Sequence, residues 1–241
     1  MATGTGDLSV SMVLPAYNEA PNIEQAIAEA SGVAERLFGE HEIVVVDDGS
    51  GDRTAALASA VAQRDPRVVV VSHAENRGYG EALRTGFRHS RLDFVFFTDA
   101  DLQFDLNELE EFLQYAGTVD VVAGYRLNRQ DPRSRRLMAY AWNFLVRVLF
   151  YVPVRDIDCA FKLFDRRVLR EIDIEAVGAM VNTELMVKLG RSGASVVEVG
   201  VTHRPRRAGK ARGADPRVVL TALRELRQMR KRLAALDARR P

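Results

Sequence analysis

From Leu8 to Ala123 short apolar, β-branched runs alternate with longer stretches whose apolar positions recur every three or four residues. Leu8–Leu14, Glu42–Val46, Arg67–Ser72, Asp93–Thr98 and Val119–Ala123 predict strands. Between them Asn22–Phe38, Arg53–Arg64, Gly80–His89 and Leu106–Ala116, rich in Ala, Leu, Glu and Arg, predict helices. This alternation predicts an α/β chain with a mostly parallel sheet covered by helices on both faces. Ligands of such sheets bind beyond the carboxyl ends of the strands, so the residues that follow each strand are the ones to read for chemistry.

Past residue 125 the pattern changes. Arg126–Arg136 reads as a basic loop around Asp131-Pro132, and Leu137–Val152 as an apolar helix carrying Tyr140, Trp142, Phe144 and Phe150. Ala194–His203 predicts a further strand, Arg204–Gly213 a basic glycine-containing loop, and Pro216–Leu236 a helix with Lys and Arg at many positions. This half is an elaboration of one domain, since neither a repeat nor a low-complexity linker separates it. The longest apolar run, Leu137–Val154, is broken by Asn143, Arg147 and Pro153, and falls short of the roughly 18–20 residues of a membrane span. Met1–Gly6 lacks the basic and apolar segments of a signal peptide. The one cysteine, Cys159, cannot form a disulfide within the chain, which fits a reducing compartment.

The formal net charge of +1 conceals an asymmetry: from His203 onward there are 13 Lys/Arg against three Asp/Glu, elsewhere 21 against 30. An acidic body with a basic tail suggests that the two ends meet different partners, although a solvated helix face also explains the tail. Nucleic-acid binding is not expected, because the tail has no aromatic interleaving.

Three strand ends carry carboxylates. Pro15-Ala-Tyr-Asn-Glu19 follows the first strand, Asp47-Asp-Gly-Ser50 the second, and Asp99-Ala-Asp101-Leu-Gln103 the fourth. Like charges converging in a cleft need a cation or a set of donors. Asp99 and Asp101 stand where the chain can bend, so that both reach one ion, and hard oxygen ligands suit Mg²⁺ or Mn²⁺. Two carboxylates are too few to enclose such an ion, which takes substrate phosphates as further ligands, so the pair predicts a metal-bound diphosphate substrate. Asp52 reads as a cap for the helix from Arg53, while Asp47 and Asp48 face the cleft as acceptors for a base N–H or a ribose hydroxyl. A dinucleotide-binding domain is set aside, because no G-x-G-x-x-G follows the first strand.

Taken together, Pro15-Ala-Tyr-Asn-Glu19, Val46-Asp-Asp-Gly-Ser50, Asn76-Arg-Gly-Tyr-Gly80 and Asp99-Ala-Asp-Leu-Gln103 resemble the successive motifs of the family 2 inverting glycosyltransferases with the GT-A fold. Gly124-Tyr-Arg126 and Asp156-x-Asp-Cys-Ala-Phe-Lys162 are similar to the branch that makes dolichyl-phosphate mannose and other polyprenyl-phosphate sugars. The resemblance implies a GT-A, Rossmann-like sheet in a single domain over 1–241. A nucleotide-sugar-binding half would span 8–125, an acceptor half 126–215 and a basic C-terminal helix 216–241, with amphipathic helices at a membrane interface. It implies that Pro15, Tyr17, Glu19 and Asp48, helped by Asp47, hold the nucleoside, and that Asp99, Asp101 and Gln103 hold the metal and the sugar diphosphate. Arg126 would reach acceptor or donor phosphates. In the loop Arg206-Arg-Ala-Gly-Lys-Ala-Arg212, Arg206 and Gly209 match the family pattern. Ala211 stands where the family has Ser, and Arg212 where it has Lys, which keeps the charge and loses the hydroxyl. Glu184 matches the donor-side pattern, but Asn182 departs from it.

The expected reaction is transfer of a hexose, from GDP-mannose or UDP-glucose, to a polyprenyl phosphate with inversion. A phosphate monoester, with a second pKa of about 6, is largely dianionic at neutral pH and needs no general base. Asp101, Arg126, Arg206 and Arg212 are the expected catalytic set, the arginines offsetting repulsion between two anions. None of the four histidines falls in the acidic strand-end motifs. Leu137–Val152 reads either as a buried core helix or as one lying in the headgroup layer. The expectation is an enzyme associated peripherally with the cytoplasmic, inner face of a membrane. The alternatives are a transferase with a soluble glycan, glycerate or protein acceptor, and an inactive nucleotide-sugar-binding protein.

Overall fold

The computed structural model describes residues 8–127, 133–150, 152, 154–178, 180–205 and 216–237, with side chains placed except at 133–136, 216–221 and 234–237. The first half follows the sequence pattern closely. β1 (Ser9–Ala16), β2 (Glu40–Asp47), β3 (Val68–Ser72) and β4 (Phe94–Thr98) alternate with α1 (Ile23–Leu37), α2 (Thr54–Ala62) and α3 (Tyr79–His89). β1 and β4 are buried along their whole length, as continuous apolar strands inside a two-sided sheet must be. α1 buries Ile23, Ala26, Ile27, Ala30, Val33, Ala34 and Leu37, the three-and-four spacing of one helical face. The predicted helix Leu106–Ala116 is shorter: a 3-10 turn at Leu106–Glu108 leads into α4 (Leu109–Leu113).

In the second half β5 (Val121–Leu127) is followed by α5 (Arg133–Phe150), β6 (Phe161–Asp165), α6 (Arg166–Arg170), α7 (Val181–Ser192), β7 (Val196–Thr202) and α8 (Pro216–Asp237). Three of these elements, β6, α6 and α7, escape the hydrophobic pattern. β6 is five residues long and carries the buried Lys162, while α7 buries Asn182, Thr183 and Glu184 alongside its apolar residues, so neither shows clean periodicity. β5 also runs further than expected. Pairing with β7 as far as Leu127–Thr202 draws Arg126 into a strand, and α5 begins at Arg133, so the expected loop Arg126–Arg136 is strand at one end and helix at the other.

Among the described residues the sheet has seven strands in the order β3-β2-β1-β4-β6-β5-β7. All run parallel except β6, which is inserted antiparallel between β4 and β5. The carboxyl ends of β1, β2 and β4 therefore open at one edge, and β6 enters the sheet beside them with Thr98 opposite Phe161. No helix among the described residues is long and apolar enough to cross a membrane.

Candidate active site

The loops after β1 and β2 are sewn together by side chains. Asn18, in the left-handed region at φ +55°, donates its backbone N–H to Ser50 Oγ at 2.9 Å and accepts the Gly51 N–H on Oδ1 at 2.8 Å. Glu19 donates its N–H to Thr54 Oγ1 at 2.9 Å, and its carboxylate accepts from Asn22 Nδ2 at 2.7 Å. Asp52 accepts the Thr54 N–H at 2.9 Å and braces the entry to α2, but the N-cap position falls to Arg53, one residue later than the sequence suggested. Gly49 permits the turn itself. Its φ is +66°, and a Cβ there would lie 2.3 Å from the Glu75 carbonyl carbon.

The two neighbouring aspartates of β2 part company. Asp48 commits both carboxylate oxygens to the chain: Oδ1 lies 2.7 Å from His73 Nδ1 and accepts the Arg77 N–H at 2.9 Å, and Oδ2 accepts the Gly78 N–H at 2.8 Å. His73 reaches Thr85 Oγ1 with its other nitrogen at 3.0 Å. Asp48, expected at the nucleoside, is thus the clasp of the 73–78 loop. No motif marks His73, one residue past β3, as its partner. Asp47 keeps an open acceptor. Its Oδ2 meets the Ser50 N–H at 3.3 Å, but the buried Oδ1 has no hydrogen-bond partner in the protein. Thr98 Oγ1, at the end of β4, and Asn182 Oδ1, in the first turn of α7, are likewise buried without a partner. An unmet buried polar atom costs about 1–3 kcal/mol, so Asp47 and Thr98, at the carboxyl ends of β2 and β4, mark that edge of the sheet as a place for a hydrogen-bonding guest.

Asp99 and Asp101 leave β4 as expected. Asp99 Oδ1 accepts the Tyr79 hydroxyl at 2.8 Å, and Asp101 Oδ1 accepts the Gln103 N–H at 3.1 Å. Between Asp101 and Gln103, Leu102 holds φ +61° although it is not glycine, which is backbone strain of the kind kept at functional turns. Burial first, and then the charge of Asp99, pushes the Tyr79 phenol well above the usual range; Asp101 adds to it, so both carboxylates act on one phenol. Among the described residues no three His, Cys, Asp or Glu side chains converge as a self-sufficient metal cage. The oxygen-only pair Asp99 and Asp101 fits a hard cation that completes its shell with substrate phosphate and water. Gln103 sits beside them, and its Nε2 donates to the Arg204 carbonyl at 3.0 Å, tying the 99–103 turn to the segment that follows β7.

The remaining candidates are placed less openly than the sequence suggested. Arg126 forms a two-pronged pair with Asp156 at 2.7 Å on each prong, and its backbone N–H meets the same carboxylate at 3.2 Å. Both side chains are nearly buried, and the pairing raises the guanidinium pKa against the opposing effect of burial. The guanidinium is thus held by Asp156 at the end of β5. Glu184 accepts the Glu175 N–H at 3.0 Å and the Ala176 N–H at 2.6 Å, and pairs with Lys188 at 2.7 Å, so it secures the 175–176 segment. Pro15 and Tyr17 lie at the end of β1 as expected, Tyr17 partly buried. Arg206, Gly209, Ala211 and Arg212 lie outside the described residues.

A turn behind Asp99 was visible only as a motif. Lys162 is wholly buried in β6, donates to the Ile157 carbonyl at 2.9 Å and to the Cys159 carbonyl, and lies 5.6 Å from the centre of the Phe97 ring. Burial lowers its pKa, while Cys159, Asp156 and Asp158 hold it up. Asn143 of α5 accepts the Ile157 N–H at 3.0 Å, which fastens this turn to α5. The other face of α5 is open: Leu137 is 70% exposed, Tyr140 70%, Phe144 61% and Val148 55%. Spaced three and four apart, they form one apolar stripe, while Asn143 and Val146 point inward. The expected helix is therefore neither all core nor all surface.

Comparison with known proteins gives the fold and the family. Residues 11–173 match Glycosyl transferase family 2. Glycosyltransferase AglD of Haloferax volcanii is 33% identical over 215 residues, covering 85% of this chain and 34% of that protein. The undecaprenyl-phosphate 4-deoxy-4-formamido-L-arabinose transferase of Pseudomonas paraeruginosa is 32% identical, covering 87% and 62% respectively. The chain thus spans less than two thirds of the length of either relative. Mannosyl-3-phosphoglycerate synthase of Rubrobacter xylanophilus superposes with a TM-score of 0.71 at 25% identity, covering 92% of this chain and 75% of that one. Glucosyl-3-phosphoglycerate synthase of Mycobacterium tuberculosis, in complex with Mn²⁺, UDP and glucosyl-3-phosphoglycerate, has a TM-score of 0.68 at 23% identity, covering 95% and 78%. The mostly parallel sheet flanked by helices is the GT-A fold expected from the sequence.

Proposed function

The chain belongs to glycosyl transferase family 2, and we propose that it transfers a hexose from a nucleotide-diphospho-sugar, GDP-mannose or UDP-glucose, to a polyprenyl phosphate at the cytoplasmic face of a membrane. The observation that carries the reading is the single edge where Asp47, Thr98, Asp99 and Asp101 meet, two of them bearing buried polar atoms without a partner. In this reading 8–125 is the donor half. Pro15, Tyr17, Glu19 and the open oxygen of Asp47 surround the nucleoside, while Asp48 and Glu184 brace the walls. Asp99 and Asp101, with Gln103 beside them, hold Mg²⁺ or Mn²⁺ together with the donor's diphosphate. The bound cation supplies charge stabilisation for the departing nucleoside diphosphate.

The residues 126–215 form the acceptor half. The acceptor phosphate oxygen, already anionic, attacks the anomeric carbon opposite the leaving group, so the configuration inverts and no side chain has to remove a proton. Arg206 and Arg212 position this second anion against the first. Arg126, held by Asp156, adds positive potential from behind. The stripe Leu137, Tyr140, Phe144 and Val148 supports a lipid-borne acceptor, because it can lie among headgroups and acyl chains. The exposed cations of α8, Arg224, Arg227, Arg230, Lys231 and Arg232, contribute about 1 kcal/mol each at an anionic surface. A relative named as an undecaprenyl-phosphate transferase supports the same acceptor class. A soluble phosphoglycerate acceptor is the second reading, favoured by the likeness to phosphoglycerate synthases.

The test incubates the protein with Mn²⁺ or Mg²⁺, a short polyprenyl phosphate and a panel of nucleotide-sugars, and follows nucleoside diphosphate release and product configuration. Lipid-dependent release with one donor, lost in Asp101→Ala, is the expected result. Turnover with 3-phosphoglycerate and none with the lipid overturns the acceptor assignment. Binding of donor without turnover on any acceptor overturns the activity.

A further inference from the structure

Tyr79 lies in a motif to which the reaction assigns no part, yet its hydroxyl touches the metal-binding turn. It opens α3 between two glycines that let the chain pass tightly under the 176–177 segment. A Cβ on Gly80 would lie 2.1 Å from the Ala176 carbonyl oxygen, and the Gly80 N–H donates to Val177 O at 2.8 Å. That approach sets the Tyr79 ring between the end of β4 and the first turn of α7. There the hydroxyl donates to Asp99 Oδ1 at 2.8 Å, and the Asn182 side chain lies close enough to act on the phenol. A phenol has a single hydrogen. With that hydrogen given to Asp99, an Asn182 amide turned to the phenol oxygen would donate, which gives the chain Asn182 to Tyr79 to Asp99 one direction. Asn182 Oδ1, buried and unpartnered, fits the same assignment of the amide. Asn182 is 5% exposed and stands on a helix whose next turn is anchored by Glu184 and Lys188, so it is itself a fixed point.

We propose that Tyr79, directed by Asn182, is a positioning residue that fixes the rotation of the Asp99 carboxylate and so prepares it to receive the cation and the donor's diphosphate. The inference rests on Asp99 and Asp101 as the cation-holding pair. A carboxylate turns freely about its last torsion, and a neighbour that locks one oxygen selects the face the other presents.

Mn²⁺ binding in the presence of UDP or GDP, followed by electron paramagnetic resonance, tests it on the full chain, with thermal melting of each variant alongside. Tyr79→Phe keeps the ring and removes the hydroxyl. It is expected to weaken Mn²⁺ binding roughly tenfold, as loss of an outer partner of a metal ligand does, with the melting temperature nearly unchanged. Asn182→Ala is expected to weaken it less, and to add nothing on top of Tyr79→Phe. Unchanged Mn²⁺ affinity in Tyr79→Phe, or additive effects of the two substitutions, overturns the proposal. Should Tyr79→Phe fold poorly, Asn182→Ser decides alone: weaker Mn²⁺ binding sustains the proposal and unchanged binding ends it. A wild-type chain that binds no Mn²⁺ with either nucleotide sinks the cation reading and this inference with it, whereas an unaffected Tyr79→Phe in a chain that binds Mn²⁺ sinks this inference alone.

Discussion

In the proposed reading, the donor edge at the ends of β1, β2 and β4 and the acceptor half over 126–215 handle buried charge in opposite ways. At the donor edge the carboxylates sit at the ends of parallel strands and are met chiefly by backbone N–H groups of nearby loops, as Asp48 is by Arg77 and Gly78. Some acceptors there stay open, Asp47 Oδ1 among them. In the acceptor half the charges answer one another. Arg126 is matched by Asp156, and Lys162 by two carbonyls of the same turn. Apart from Asn182 Oδ1, the conspicuous open feature there is apolar, the outer stripe of α5. Open acceptors prepare one side for a polar, charged guest; open hydrocarbon prepares the other for a surface. The difference locates stability in the acceptor half's closed pairs and binding in the donor edge's unfinished ones.

Breaking a closed pair should produce the largest effect. Asp156→Ala leaves Arg126 as a buried charge without its partner and is expected to destabilise the fold by about 3–5 kcal/mol, read by urea unfolding. Removing both charges with Arg126→Met and Asp156→Leu should restore much of that loss. A loss below about 1 kcal/mol in Asp156→Ala would mean that Arg126 stands free for phosphate and that the contrast is misdrawn. At the donor edge Asp101→Ala is expected to leave unfolding nearly unchanged while nucleoside diphosphate release falls on the order of 10²–10³-fold. Chelating the divalent cation from the wild type should give a comparable loss.

The apolar stripe predicts a third behaviour. Phe144→Ser should weaken sedimentation with anionic vesicles roughly tenfold, the burial of one large side chain, and change stability by no more than about 0.5 kcal/mol. Unchanged vesicle binding would remove α5 from the lipid side of the comparison. The smallest effect belongs to the stitching of the donor loops. Asp52→Ala deletes the side-chain brace on the Ala20 and Thr54 N–H groups at the entry to α2 and is expected to cost about 1 kcal/mol in urea unfolding, with little change in turnover.

The alternation of strands and helices up to β5, and the carboxylates that follow β1, β2 and β4, are legible in the chain alone. Those features are local. Continuous apolar runs mark buried strands, and the residue after a strand must fall at the sheet's edge. The rest depends on partners distant in the chain. β6 is too short and too polar at Lys162 to show as a strand until β4 and β5 close on it. Arg126 becomes a strand residue paired with Asp156 because β7 draws β5 onward, a pairing that residue spacing cannot foretell. The same holds within the site. Asp47 and Asp48 are adjacent in sequence, but alternation along a strand turns them different ways, one to an open mouth and the other to His73 and the 77–78 turn. Tyr79 meets Asp99 only because Gly78 and Gly80 let α3 slide beneath the 176–177 segment, a contact made by two missing side chains.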